Sequence, residues 1–173
     1  ILIHHLFDAG WSASIRRVAE QFASLLFPWM LVLLLPILAL QNQIYPWLKI
    51  DPADDHSLAV KRVLFNQPTF NFLLVFIVAS WGFIAHNFRR WSVAQDKDGK
   101  VEWTRKCRKQ AAWGIYYFAF SLTLVCFYLM KSLQHQFFST MYGVYYFAGS
   151  VWTTLATVYV IIMYLSRPGM PLE

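Results

Sequence analysis

Residues Thr69–Phe88, TFNFLLVFIVASWGFIAHNF, contain no Asp, Glu, Lys or Arg, and they belong to an uncharged stretch that extends back to Val63. A helix needs about 20 predominantly apolar residues to cross the hydrocarbon core of a bilayer. This stretch therefore has the length and composition of one membrane-spanning helix. Pro68, just before it, suits the first turn of such a helix.

Three further stretches also lack charged residues: Gln21–Leu48, Gln110–Met130 and Ser132–Ser166. The chain of 173 residues is 58% hydrophobic and only 14% charged. A single stretch of this kind could be a buried core helix, but four in succession predict an all-α, polytopic transmembrane bundle that forms one membrane domain. The predicted spans are about 19–40, 69–88, 112–130 and 142–165, and the prolines at 28 and 36 predict bends in the first.

Basic residues crowd at one end of the predicted bundle. Cytoplasmic loops carry the excess of Lys and Arg, so that end is predicted to face the cytoplasm, with a basic loop at 89–111, both chain ends on the same side, and outer loops at 41–68 and 131–141. The net charge of +6 is then a topology signal and not a nucleic-acid footprint. The fifteen basic residues divide into eleven and four: Arg16, Arg17, Arg89, Arg90, Lys97, Lys100, Arg105, Lys106, Arg108, Lys109 and Arg167 against Lys49, Lys61, Arg62 and Lys131.

Two further features concern the edges of the bundle. Tyr45 and Trp47 at one boundary, with Trp91 and Trp113 at the other, are predicted to form aromatic belts at the membrane surfaces. The chain begins at Ile1 and stops just past the fourth span. We therefore expect a fragment of a longer chain.

Ionisable groups beside the first span are the first candidates for chemistry, because charges near hydrocarbon are costly. Asp8, Arg16, Arg17 and Glu20 cluster there. One interpretation is an ordinary surface pair of Arg16 and Glu20 at positions i and i+4. The other is a cytoplasmic proton entrance in which Glu20 delivers protons to a polar track.

The histidines are weaker candidates for chemistry than the ionisable groups beside the first span. His86, near the cytoplasmic end of the second span, could ligate haem only with His4 or His5, and a hydrogen-bonded or proton-relay role is the other interpretation. His56 lies in the acidic loop DPADDHS, which lacks the spacing of a calcium motif. The loop is predicted to be solvated.

The fourth span carries small residues four apart, such as Gly149 with Thr153 and Ser150 with Thr154. Such spacing lets membrane helices approach closely and predicts a packing face. A second interpretation is a hydroxyl track for protons, extended at its outer end by Lys131 and His135. In the preceding segment, Leu133, Phe137 and Met141 are four apart, which predicts a short helix in the interface plane. The track consists of Ser150, Thr153, Thr154, Thr157 and Tyr159.

Four segments, in order, are similar to a known family: GWSASIRRVAEQF, KRVLFNQPTF, RRWSVAQDKDG and SLQHQFFSTMYGVYYFAGSV. Together they resemble the F subunit of bacterial alternative complex III, a quinol:electron-acceptor oxidoreductase. The resemblance covers about residues 9–165, and its last segment is the most specific. It implies a membrane subunit of the NrfD/polysulfide-reductase type, about twice as long as this chain.

The resemblance implies a non-catalytic subunit of the bacterial cytoplasmic membrane that supports assembly and proton translocation without a redox cofactor of its own. Quinol, iron–sulfur clusters and haem c would then be bound by its partners. These partners are a related NrfD-like membrane subunit, an iron–sulfur subunit and multihaem cytochrome c subunits. A terminal oxidase and membrane lipids would be further contacts.

The chain departs from the family pattern at two places. Tyr128 and Leu129 stand where the family often has Asp-Trp, and His135, Gln136 and Phe137 stand where it often has Pro-His-Trp. The first departure removes a buried acid and weakens the proton role more than the assignment. Two other functions stay open: a secondary transporter or channel fragment with a broken first helix, and a haem b membrane anchor.

Overall fold

The computed structural model describes residues 1–13, 15–51, 53 and 55–166, and this part of the chain is all-α, as predicted. Arg167 and Asp54 lie outside the described residues. The α-helices of the described part are α1 (Leu2–Phe7), α2 (Arg16–Ser24), α3 (Leu31–Ala39), α4 (Gln41–Ile44), α5 (His56–Lys61), α6 (Gln67–Asp98), α7 (Val101–Leu129) and α8 (Tyr142–Leu165).

The longest elements, α6 and α7, form a helical hairpin. Asn66 caps α6 by accepting a hydrogen bond from the Thr69 amide at 2.9 Å, and Pro68 occupies the first turn as predicted. Gly99 ends the helix with a φ of 64°, a left-handed conformation that glycine adopts without steric cost. We call the end of the bundle that holds Gly99 the basic end, and the end that holds residues 41–66 and 131–141 the loop end.

The hairpin corrects the predicted basic loop at 89–111. Residues 89–98 continue α6 and residues 101–111 begin α7, so that only Gly99 and Lys100 connect the two helices. The predicted spans 69–88 and 112–130 are therefore the apolar parts of longer helices. Arg and Lys are good helix formers, so their charge keeps a segment out of hydrocarbon without ending the helix.

The first predicted span, 19–40, is broken. Helix α2 ends at Ser24, a π-helical turn covers Leu26–Met30, and α3 follows, with a bend of 40° between the two parts. Phe27, immediately before Pro28, has extended backbone angles inside this turn. Proline disfavours helical angles in the residue before it, which explains the position of the break. Pro36 lies inside α3.

The break packs against a glycine of α6. A Cβ atom placed on Gly82 would lie 2.8 Å from the Cβ of Phe27, closer than side chains approach each other. A glycine at this position therefore lets the broken helix lie directly on α6.

At the loop end, an aromatic core joins the connecting segments to the helices. Tyr45 and Trp47 pack with Phe70, which also contacts Tyr128, and all four are nearly fully buried. The prediction that Tyr45 and Trp47 form an aromatic belt is therefore wrong, because they fill the interior. The predicted outer loop 41–68 also contains α4, α5 and a 3-10 turn at Pro46–Lys49.

At the basic end, α1 covers the hairpin. Its residues Leu2 and Leu6 pack on a second core formed by Ile84, Phe88, Cys107 and Ala111. Gln110 donates a hydrogen bond to the backbone carbonyl of Ile84 at 3.0 Å, which satisfies a polar side chain inside this core. The N-terminal segment is thus part of the bundle.

Helix α8 has the predicted bounds and few neighbours. Gly143 lies against Thr123 of α7, and α8 also touches α2. Only 6% of its most apolar window is buried, compared with 33% in α6 and in α7.

The interface helix predicted through Phe137 and Met141 is shorter than expected, since the 3-10 turn Lys131–Gln134 does not continue through them.

Candidate functional site

The side chain of Glu20 lies in the interior at the basic end and has no exposed surface. Helix α2 begins RRVAE, so that Arg16 and Arg17 stand four and three positions before the glutamate and share its face of the helix. Burying a single carboxylate is costly unless cations and hydrogen bonds surround it. The environment of Glu20 provides such cations.

Three basic side chains approach the carboxylate. Oε1 lies 3.5 Å from Nε2 of His5 and 3.6 Å from Nε of Arg16, and Oε2 lies 3.4 Å from Nη1 of Arg17. These distances are ion-pair contacts and exceed those of short hydrogen bonds. Arg16 and Glu20 therefore form the predicted pair, but the pair is not an ordinary surface pair, since Glu20 is fully buried. We call His5, Arg16, Arg17, Glu20 and Ser92 the Glu20 cluster.

Arg17 ties the Glu20 cluster to α6. Its Nη1 donates a hydrogen bond to Oγ of Ser92 at 2.9 Å, and its Nη2 forms an ion pair with Asp96. His5 stacks on Phe88 with ring centroids 5.0 Å apart and planes 2° from parallel. Residues of α1, α2 and α6 thus meet around one carboxylate.

Asp8 does not join this cluster, because it forms an ion pair with Arg108 of α7. The neighbouring His4 bonds Oγ of Ser12 through Nδ1 at 2.7 Å. Burial lowers the pKa of His4, and the charges of His5 and Arg16 lower it further. These contacts hold α1 on the hairpin.

His86 is exposed and lies in a shallow groove on the outside of α6, with Arg89 and Arg90. His5 instead faces Glu20 and Phe88. The histidine pair that a haem would need is therefore not formed by these two residues. In the described part of the chain, no group of three or more His, Cys, Asp or Glu residues is placed to hold a metal ion.

A second polar cluster lies at the loop end, around His135. Its Nε2 donates a hydrogen bond to Oδ2 of Asp55 at 2.8 Å, and its backbone carbonyl accepts one from Nζ of Lys61 at 2.8 Å. Asp55 also caps α5 by accepting from the Ser57 amide at 2.7 Å. The bonds from Ser57 and His135 lower the pKa of Asp55.

Lys131 lies close to this cluster, with Nζ 4.7 Å and 5.0 Å from the ring centroids of Phe127 and Phe138. Burial lowers the pKa of Lys131, and the charge of Lys61 adds to the effect. The aromatic faces stabilise the ammonium group through cation–π contacts.

The serine and threonine hydroxyl groups of the predicted track on α8 are bonded within their own helix. Each donates to a backbone carbonyl three or four residues earlier, and most of the helix surface between Val151 and Ala156 is exposed. Such bonds make the surface of a helix less polar and suit close packing in lipid. These donors are Ser150 to Phe147, Thr153 to Gly149, Thr154 to Ser150 and Thr157 to Thr153.

The predicted proton-path residues therefore lie in separate places. Glu20 is in the interior at the basic end, Asp8 and His86 are on different surfaces there, Lys131 and His135 are at the loop end, and the hydroxyl groups face outward on α8. Among the described residues, no hydrogen bonds join these groups into one track.

Sequence reasoning placed Arg17 beside Glu20 but missed Ser92 and Asp96 as partners in this part of the molecule. Arg17 and Glu20 stand at i and i+3 of one helix, and this spacing was a usable signal for their contact. Ser92 and Asp96 come from a helix about 75 residues later in the chain, and no local pattern indicates that contact.

No protein-family model and no curated protein matches the chain. Three helices, α6, α7 and α8, are long and apolar enough to cross a membrane, and the bent pair of α2 with Leu26–Ala39 makes a fourth if it counts as one span. By length and composition, the fold is therefore that of a helical membrane protein.

Proposed function

We propose that this chain is a membrane subunit of a respiratory quinol-oxidising complex of the alternative complex III type, where it supports assembly with neighbouring membrane subunits. The ordered similarity of its four sequence segments to the F subunit of that complex supports the respiratory assignment. The observation that carries the assembly role is the exposure of α8. Only 6% of its most apolar part is buried against the rest of the chain.

The chemistry of α8 suits contact with further membrane helices. Helices in lipid associate through close packing at small residues, since there is little hydrophobic driving force between them. A Cβ added at Gly149 meets no atom of the other described segments within 4 Å, so the backbone there is open to a partner. Thr153 and Thr157 continue the same face with their hydroxyl groups already bonded.

Co-purification tests this proposal. We expect the tagged full-length protein, extracted in mild detergent, to bring down subunits that contain haem c and iron–sulfur clusters. Gly149→Leu should reduce that recovery by about tenfold, since a large side chain at a close helix contact costs on the order of 1–3 kcal/mol. The thermal stability of the chain itself should not fall, because no other described segment lies within 4 Å of the Cβ added at this position.

Val75→Leu on the exposed side of α6 is the matched control and should leave recovery unchanged. Purification of the wild-type chain without haem-containing partners, together with saturable binding of a small solute, would replace the proposal with a transporter function. The 40° break in the first span is the observation that favours that alternative. A Soret band from the isolated chain would instead support a haem b anchor.

A second part of the proposal is proton movement through Glu20. The observation behind it is a fully buried carboxylate whose Oε1 has no hydrogen-bond partner among the described residues and lies 3.5 Å from a histidine nitrogen. A carboxylate and an imidazole in contact can exchange a proton. The polar groups of α8 do not continue this route among the described residues, so we restrict the proposal to Glu20 as a proton entrance.

We expect Glu20→Gln to lower the number of protons moved per electron in reconstituted vesicles while quinol oxidation continues. Asp96→Asn is the control, because it removes another carboxylate partner of Arg17 from an exposed position. Glu20→Asp, which retains the carboxylate, should restore part of the proton movement. Unchanged stoichiometry in Glu20→Gln would leave Glu20 with a structural role only.

A further inference from the structure

The outer surface of α6 changes character along its length. Positions alternately four and three apart lie on one face of a helix, and on this face the aromatic residues Phe72, Phe76 and Phe83 are 53–67% exposed. The same spacing then reaches His86 and Arg90. One continuous surface is therefore aromatic toward the loop end and cationic toward the basic end.

The cationic part forms a groove of about 380 Å³, which we call the basic groove. No carboxylate is among the described residues that line it. Nearby acids have other partners, since Asp96 pairs with Arg17 and Asp98 lies 3.9 Å from Lys100. The groove is lined by His86, Arg89, Arg90, Val93, Ala94 and Lys97.

The cations of the basic groove have no anion among the described residues. No ion pair is formed there by Arg89, Arg90 or Lys97, although each carries a full positive charge. Cations placed side by side repel each other, and an anion between them removes that repulsion. The positive charges of the basic groove are thus available to a negatively charged group from outside the described residues.

The position of the groove along α6 indicates which kind of anion it meets. Counting from Thr69 at about 1.5 Å per residue, a helix crosses about 30 Å of hydrocarbon by Phe88. Arg89 and Arg90 follow directly, at the level of the lipid phosphates. The exposed phenylalanines on the same face lie where the acyl chains of that lipid would run.

We propose that the basic groove binds the headgroup of an anionic phospholipid, with its acyl chains along Phe83, Phe76 and Phe72. Guanidinium groups bind phosphate oxygens through paired hydrogen bonds, so Arg89 and Arg90 hold the phosphate. Lys97 adds positive charge about two turns further from the hydrocarbon. An acidic segment of a protein would match the cations but not the aromatic surface that continues from them.

The test measures phospholipid bound to the full-length protein in detergent by native mass spectrometry, with phosphatidylglycerol and phosphatidylcholine as probes. We expect saturable binding of phosphatidylglycerol in preference to phosphatidylcholine. Arg89→Gln/Arg90→Gln should weaken it roughly thirtyfold, because each basic residue near a membrane surface contributes about a factor of five. Where that double variant does not fold, Lys97→Gln should weaken binding about fivefold.

Arg105→Gln/Lys109→Gln is the matched control. It removes two exposed charges from the same end of the bundle but from α7, outside the groove. Equal losses in both double variants, or equal binding of the two lipids by the wild-type protein, would overturn the proposal. So would a photocrosslinker at Val93 that captures a protein instead of lipid in native membranes. Failure of the co-purification experiment would not bear on this site, since the site depends only on the membrane class of the chain.

Discussion

Gly82 and Gly149 lie inside long helices, but only Gly82 is pressed against another segment. An alanine at Gly82 would bring its Cβ to 2.8 Å from the Cβ of Phe27, which is close to the backbone and cannot swing away. We expect Gly82→Ala to lower the free energy of unfolding by about 1–3 kcal/mol through overpacking. The measurement is denaturant unfolding of the full-length protein in detergent micelles.

Gly149→Ala is the control for this effect, because nothing lies within 4 Å of its added Cβ. It should leave stability unchanged or raise it by up to about 1 kcal/mol, as alanine favours the helix more than glycine does. Equal losses in both variants would mean that the contact between Phe27 and Gly82 is not what the Gly82 change disturbs.

Glu20 shows how much of the candidate site the sequence can predict. The helical spacing of Arg16 and Glu20 was sufficient to predict their contact, which the structure places at 3.6 Å. Spacing along one helix does not tell which face is covered. The burial of Glu20 depends on α1 and α6, which come together with α2 only in the folded chain.

At the scale of elements, the bond between Asp55 and His135 joins the segment before α8 to the cap of α5. Asp55 is partly exposed, and its pKa is lowered in the folded protein. A carboxyl group with a lowered pKa adds stability above its unfolded pKa of about 4, and this stability is lost as the pH falls through the folded value. The contribution of Asp55 should therefore persist from pH 7 to pH 5 and decline below about pH 4.

We expect Asp55→Asn to increase hydrogen exchange in residues 131–141 at pH 7 and to remove the part of the acid response below about pH 4 that Asp55 causes. The measurement is hydrogen exchange by mass spectrometry, corrected for intrinsic rates at each pH. Asp51→Asn changes the same charge in the same connection, where Asp51 bonds only locally to the amide of Ala53. A similar increase in Asp51→Asn would contradict the assignment to the bond with His135.

The apolar parts of the helices were predictable from the sequence, and their ends were less so. The end of α8 at Leu165 follows directly from the end of its uncharged stretch, and Pro28 marked the region of the break in the first span. The charged continuations of α6 and α7 were mistaken for a loop, since loss of hydrophobicity marks the edge of the hydrocarbon and not the end of a helix. Tyr45 and Trp47 were mistaken for belt residues because burial by a connecting segment leaves no local pattern.

Across the whole molecule, charge and apolar surface divide along the bundle axis. Eleven of the fifteen basic residues belong to the predicted cytoplasmic side, and all but Arg167 of these lie in the described helices or the turn at the basic end. The acids there are mostly paired with arginines, so a net positive charge remains. A bundle with this asymmetry is expected to insert with its basic end in the cytoplasm.

Cysteine labelling in intact cells tests that orientation, but the two natural cysteines cannot report it. Cys107 and Cys126 are both buried, with about 1% of each exposed. In a background without them, Lys100→Cys places a thiol in the turn at the basic end, and Val63→Cys places one at a position that is 80% exposed at the loop end. We expect a membrane-impermeant maleimide to label Val63→Cys in intact cells and Lys100→Cys only after lysis.

Moving a turn with several Lys and Arg residues across the membrane is costly, so the reverse pattern would show that charge does not set the orientation of this chain. Labelling of both positions in intact cells would contradict the membrane class itself, because no barrier would then separate the two ends of the bundle.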